Sequence, residues 1–190
     1  MKNKKSILLV IFLSLLIVLL TGCSILTSEQ QEPDLSSLKA VTNLVANNEE
    51  YTKHTNEEGI SFYCPTDWIS VGEEGTLFFM SPDLTGTSVN LVNEEIGSLI
   101  SLKGYIEIAK NTLGEEMNLT SEIEQEAINL NGREAYVISY TAEQNEIEMK
   151  VFQEVIKVDE KVYILTAGTI TDNYQQVEEI LNNILSSFTK

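Results

Sequence analysis

Val162-Tyr163-Ile164-Leu165-Thr166-Ala167 is the stretch on which the fold turns. Successive side chains of a strand point to opposite faces. Here both alternate sets, Val162/Ile164/Thr166 and Tyr163/Leu165/Ala167, are largely apolar or aromatic. A strand with one wet face would alternate cleanly, so this one is expected to be covered on both sides. One cover follows directly in the chain. Tyr174, Val177, Ile180, Leu181, Ile184, Leu185 and Phe188 form a single stripe at helical spacing, with Glu178, Glu179, Asn182 and Asn183 on the other side. Asp172 with Gln175 three residues later resembles a capping box at its start.

Upstream, Arg133 to Ala142 and Ile147 to Val158 read as strands, as does Leu119 to Leu130. Asn131-Gly132 separates the Leu119–Leu130 and Arg133–Ala142 runs, and both residues tolerate the positive φ of a type I′ hairpin turn. Glu143-Gln144-Asn145 and Asp159-Glu160 supply further polar turns, so a meander is expected rather than βαβ crossovers. Leu102, Tyr105, Ile106, Ala109 and Leu113 follow one helical face, with Ser101 placed to cap it and Gly114 to stop it. Before that helix, Ile60–Cys64, Thr76–Met80 and Thr87–Val92 are strand-like, and turn formers at 81–86 join the last two. The expected class is α+β: a twisted antiparallel sheet of about six to seven strands with helices packed on both faces, an α/β/α sandwich.

The N-terminal part reads differently. Lys2, Lys4 and Lys5 precede an almost unbroken aliphatic run from Ile7 to Leu20, then small residues. That is the pattern of a secretory signal. At ~1.5 Å per residue the run reaches roughly 21 Å as a helix, short of the ~30 Å bilayer core, which makes a permanent span the weaker reading. Ser24 to about Gly59 is rich in Ser, Thr, Asn, Gln and Glu and is expected to be a flexible tether, with a short weak helix at Leu38, Val41 and Val45. His54 falls in this polar stretch as an exposed linker residue. The expected division is a signal over 1–22, a tether over 23–58 that starts at Cys23, and a globular domain over 59–190.

Charge and residue inventory narrow the chemistry. The chain has 12 basic and 29 acidic side chains and a net charge of −17. Without its first 22 residues nine basic groups face the same 29 acids, which deepens the imbalance. Nucleic-acid binding, which needs clustered cations, is not expected, and neither is electrostatic adhesion of the body to anionic lipid. One histidine allows no His-based triad and no paired-His metal site. Cys64, at the end of the strand-like run Ile60–Cys64 and with no neighbouring base evident, reads as a small buried strand residue. Adjacent acids at Glu49-Glu50, Glu57-Glu58, Glu73-Glu74, Glu94-Glu95, Glu115-Glu116 and Glu178-Glu179 are scattered and read as solvated surface. Tyr63, Trp68, Phe78 and Phe79 read chiefly as core, with a ligand groove as the alternative. No catalytic, cofactor-binding or metal-binding residues are assigned, and no enzyme activity is expected.

Two resemblances add to this. Leu20-Thr21-Gly22-Cys23 resembles the lipobox of bacterial lipoproteins. It implies lipidation of the Cys23 sulfur, cleavage just before that residue, and anchorage to the membrane without spanning it. The element order over residues 60–190 resembles the PsbP-like superfamily, also seen in a eukaryotic Ran-binding nuclear protein. Ile60-Ser61-Phe62-Tyr63-Cys64-Pro65-Thr66-Asp67-Trp68 is similar to the opening of such domains, and Asn131-Gly132-Arg133-Glu134-Ala135-Tyr136 to their hairpin. That fold serves accessory subunits, a GTPase-binding protein, secretion chaperones and envelope lipoproteins, so the resemblance implies a binding or accessory module with a protein partner in the envelope. The alternatives are a solute- or cation-binding lipoprotein, motivated by the acidic excess, and an envelope hydrolase, which would need a cleft with two carboxyls of raised pKa.

Overall fold

Three long strands joined by two-residue turns form the centre of the sheet. In the computed structural model, which describes residues 51–72, 75–84 and 86–190, these are β7 (Arg133–Gln144), β8 (Ile147–Val158) and β9 (Lys161–Ile170). Before them come β1 (Tyr51–Thr55), β2 (Ser61–Pro65), β3 (Ile69–Ser70), β4 (Leu77–Met80), β5 (Ser88–Glu95), helix α1 (Leu102–Glu116) and β6 (Glu124–Leu130). After them a 3-10 turn, Thr171–Asn173, leads into helix α2 (Tyr174–Ser186). The main sheet has seven strands in the order β3-β4-β5-β9-β8-β7-β6, and β1 pairs separately with β2. Every strand pairing is antiparallel. The protein is therefore a mixed α+β fold with a seven-stranded antiparallel sheet and two helices among the described residues.

The turns explain the register. Asn131 and Gly132 both take positive φ, 52° and 86°, and the pairing closes on Leu130 and Arg133. Only glycine adopts φ near +86° without steric cost. Gly132→Val is expected to lower stability by about 1–2 kcal/mol, read as an earlier urea midpoint. The second turn sits at Asn145-Glu146, where both φ values are positive, two residues later than the polar triplet suggests. Residues 143 and 144 remain paired with 148 and 147.

Two apolar clusters use alternate residues of β9. One gathers Tyr163, Leu165 and Ala167 with Val177, Leu181, Ile184 and Leu185 of α2, Phe188, and Ile60, Phe62 and Cys64 around β2. The other gathers Val162 and Ile164 with Tyr136, Ile138 and Tyr140 of β7 and Leu102, Tyr105, Ile106, Ala109 and Leu113 of α1. Both alternate sets of β9 are buried, as their composition requires.

Several expectations are corrected. Among the described residues strand structure is already present at Tyr51, eight residues before the expected domain start at 59. β1 reads Tyr-Thr-Lys-His-Thr, and its polarity hides a short strand held by pairing with β2. His54 is accordingly no linker residue: its ring packs against Phe79 with centroids 4.1 Å apart. Gly114 does not stop α1, which continues to Glu116, where Met117 donates its N–H to the Leu113 carbonyl at 2.9 Å. Ser101 does cap the helix, its Oγ accepting from the Gly104 N–H at 3.1 Å. β6 starts at Glu124 rather than Leu119, which only bridges to Ala142. No side chain caps the start of α2, since the preceding 3-10 turn carries the chain into it. Residues 1–50, including the signal segment, Cys23 and the weak helix at Leu38–Val45, lie outside the described residues, as do Glu73 and Glu74.

Candidate functional site

At one end of the sheet the β1–β2, β6–β7 and β8–β9 turns meet the C-terminal residues and the loop entering α1. A recess of about 320 Å³ lies there, lined by Leu130, Asn131, Gly132, Arg133, Ile156, Thr189 and Lys190. Its rim is tied by Asn131 Nδ2 donating to Thr189 Oγ1 at 3.2 Å and by the Gly132 N–H donating to Asn129 Oδ1 at 2.8 Å. Arg133 donates from Nη1 to the Lys157 carbonyl at 3.4 Å. A guanidinium carries five N–H donors, so Arg133 retains capacity for an anionic acceptor in a chain otherwise dominated by acids.

Lys157 links this recess to the loop before α1. Its carbonyl accepts from Arg133, and its ammonium donates to the carbonyls of Gly97, at 3.2 Å, and Ile100. Nearby, Glu58 of the β1–β2 turn accepts from both Lys161 Nζ and the Tyr163 hydroxyl. The Lys161 bond, followed by the Tyr163 bond, holds the Glu58 carboxyl below its ordinary range. Burial first, then Glu58, pushes the Tyr163 phenol up to about 12.

The remaining ionisable groups of note are inside. Glu154 on β8 is 2% exposed, and its Oε1 has no hydrogen-bond partner. Burial pushes its carboxyl up to about 8. Its register partners are Val137 and Leu165, and Phe152 and Ile156 of the first cluster flank it along the strand. Glu94 on β5 is also buried but accepts from the Tyr105 hydroxyl at 3.1 Å. Burial raises it, partly opposed by that hydrogen bond. Tyr105 belongs to the second cluster. The two raised carboxyls thus neighbour different clusters and make no acid–base pair. Lys150 lies over the Tyr174 ring at 4.0 Å, where burial lowers its pKa against the pull of Glu178 and Glu124.

The residues singled out from sequence are dispersed. Of the acidic pairs, Glu58 is engaged by Lys161, Glu94 by Tyr105, and Glu178 by the Tyr174 hydroxyl at 2.9 Å. Glu49, Glu50, Glu73 and Glu74 lie outside the described residues. Among the described residues no group of three or more His, Cys, Asp or Glu side chains is placed to hold a metal ion. Cys64 is fully buried, and burial raises its thiol pKa far from thiolate chemistry. Trp68, Phe78 and Phe79 are buried, so the aromatic groove does not form. Sequence reading passed over Arg133, Lys157 and Glu154. Only Glu154 carried a usable signal: Gln153-Glu154 interrupts the apolar run between Val151-Phe152 and Val155-Ile156 in a central strand, which puts one acidic or amide group onto each covered face.

A sequence model of the family described as PsbP matches residues 47–190. None of the curated proteins matches the chain. Among solved structures, that of cyanobacterial PsbP (CyanoP) from Synechocystis aligns with a TM-score of 0.58 at 17% identity, covering 76% of this chain and 95% of that one. A protein of unknown function from Pseudomonas aeruginosa aligns at 0.56 and 14% identity, covering 74% and 97%. LpqN from Mycobacterium tuberculosis, described as involved in cell envelope biogenesis, aligns at 0.52 and 17% identity, covering 75% and 91%. At these identities the likeness establishes the fold alone.

Proposed function

The chain belongs to the PsbP family, and we propose that it works as a lipid-anchored bacterial lipoprotein whose globular domain is a non-catalytic binding or accessory module on the extracytoplasmic side of the cell membrane. One observation carries the non-catalytic reading. The carboxyls that burial perturbs, Glu94 and Glu154, stand apart in separate apolar surroundings, where a catalytic dyad needs them convergent. The concave feature at the turn end is polar and carries Arg133 and Lys190, which suits recognition of an anionic group better than bond cleavage.

The anchoring half rests on Leu20-Thr21-Gly22-Cys23. Two or more acyl chains give stable attachment where one does not, and the tether ahead of Tyr51 would let the acidic body stand clear of an anionic surface. No helix among the described residues is long and apolar enough to cross a membrane. In the same reading α1 and α2 take opposite faces of the sheet; support comes from Ile164 clustering with the former and Leu165 with the latter. The partner is a protein of the cell envelope, with no nucleic acid involved.

Cys23→Ala is expected to shift the protein almost completely from the membrane fraction, or to stall it uncleaved. Unchanged fractionation of the variant, or a bare sulfur on the mature polypeptide by mass spectrometry, would refute the anchor.

A further inference from the structure

Two segments 58 positions apart in the chain form the walls of the recess at the turn end. One wall is the β6–β7 hairpin, whose Asn131-Gly132 turn runs into Arg133 at the start of β7. The other is Thr189-Lys190, held to β2 by the backbone hydrogen bonds that Thr189 exchanges with Ser61, at 2.8 and 2.9 Å. Asn131 Nδ2, donating to Thr189 Oγ1 at 3.2 Å, ties the walls together. Leu130 and Ile156 supply the apolar part of the lining. A Cβ added at Gly132 would meet no atom within 4 Å, so the turn leaves its side of the recess open.

The hydrogen-bonding capacity left over here is mostly donor. Arg133, the chain's single arginine, gives one N–H to the Lys157 carbonyl and keeps the rest of its fork. Lys190 brings an ammonium, and Asn131 Nδ2 has a second hydrogen. The Gly132 N–H and the Thr189 hydroxyl hydrogen are already taken, by Asn129 Oδ1 and by the Lys190 carbonyl, at 2.8 and 3.4 Å. Among the described residues no lining side chain is a carboxylate. The acids around the recess are engaged, buried or distant. Glu58 interacts with Lys190 but is held by Lys161 and the Tyr163 hydroxyl, on which Glu95 and Asp159 also act. Glu134 turns to the other face of β7, where it accepts from the Tyr136 hydroxyl at 3.3 Å. Glu154 shares the Ile156 face of β8 and is buried. Glu126 shares the Leu130 face of β6 but stands roughly 13 Å away at ~3.3 Å per residue, beyond the ~8 Å screening length. A planar carboxylate offers two oxygens and is satisfied by a guanidinium fork alone. Donors entering from both walls suit an anion with more oxygens in more directions. We propose that this recess binds a phosphate group, the Arg133 fork taking two oxygens and Lys190, from the opposite wall, a third. The carrier of that group is a small soluble ester or a lipid headgroup. The inference deepens the reading of the domain as a binding module and rests on it.

The test titrates inorganic phosphate into the full chain held in phosphatidylcholine vesicles, read by calorimetry and by the melting temperature. Saturable binding is expected, with a melting temperature that climbs with phosphate and with acetate binding about tenfold weaker or less. Arg133→Lys, which keeps the charge and loses the fork, should weaken phosphate binding about tenfold. Lys190→Met should weaken it several-fold, and Lys110→Met on α1 should change nothing. None of the three should move the melting temperature of the phosphate-free protein. Two further arms separate the carriers. A soluble ester predicts that glycerol 3-phosphate binds at least as tightly as phosphate in any vesicle. A headgroup predicts that phosphatidylglycerol mixed into the vesicles competes and raises the apparent Kd for phosphate. Phosphate that fails to bind, binding indifferent to Arg133→Lys, or acetate as tight as phosphate would overturn the site. Crosslinking in the intact envelope then decides the reading beneath it: an adduct with an envelope protein keeps the binding module, and silence there overturns that reading too.

Discussion

Raising the pH from about 5 to about 8.5 is expected to destabilise this domain by roughly 3–4 kcal/mol through one side chain, Glu154. The carboxyl is buried between Phe152 and Ile156, with Val137 and Leu165 beside it, and its Oε1 has no partner. Ionising it there costs far more than ionising it in water. Its folded pKa is raised from 4.5 to about 8. Below 4.5 both folded and unfolded chains carry the proton and the full stability is present. As pH rises toward 8 only the unfolded chain releases it, so stability falls; above 8 both are ionised and the loss levels off. Urea unfolding of Glu154→Leu should show a much flatter dependence, and at pH 8.5 the variant should exceed the parent by several kcal/mol. Glu154→Gln should flatten the curve likewise but gain less, since it keeps a polar group in an apolar place. A residual slope of the same sign is expected from Glu94, also raised by burial, and should disappear on adding Glu94→Gln. Parallel curves for parent and Glu154→Leu would mean that water reaches the carboxyl in the folded protein.

Phe188→Ala should cost about 3–5 kcal/mol, a large part of the 5–15 kcal/mol by which such domains are stable. Phe188 is fully buried among Ile60, Phe62 and the apolar stripe of α2. On either side of it the chain grips β2. The Ser187 Oγ accepts from the Tyr63 N–H at 2.8 Å, and Ser61 and Thr189 exchange backbone hydrogen bonds at 2.8 and 2.9 Å. The ring therefore anchors the joint between the C-terminal helix and the separate β1–β2 ribbon. The melting temperature should fall by roughly 10–20 °C. The Ser61 and Tyr63 amides should lose hydrogen-exchange protection before those of β8 and β9. Phe188→Leu should recover most of the loss. A drop under about 1 kcal/mol would show that this end frays independently of the core.

These two residues mark how far the sequence could be read. Phe188 belongs to a stripe with a 3.6-residue period, visible without coordinates because one helical face must be apolar to pack. Glu154 was visible only as an interruption. Its neighbours announced a buried strand, yet nothing local says which cluster receives the carboxyl or whether a donor waits there. The recess was hidden altogether, because Arg133 after a turn and Lys190 after a helix look like ordinary surface cations. The hydrogen bond that joins their two walls spans 58 positions.

The amino-acid order by itself determined the class of fold, the meander through Asn131-Gly132, and the double burial of Val162–Ala167. Each follows from contacts or conformational limits within a few residues: side-chain alternation, helical period and positive φ. The tertiary structure alone decided that Tyr51–Thr55 is a strand, that the raised carboxyls stand apart, and that Arg133 and Lys190 line one recess. Those outcomes depend on partners far along the chain, and only the closed fold sets which distant groups meet.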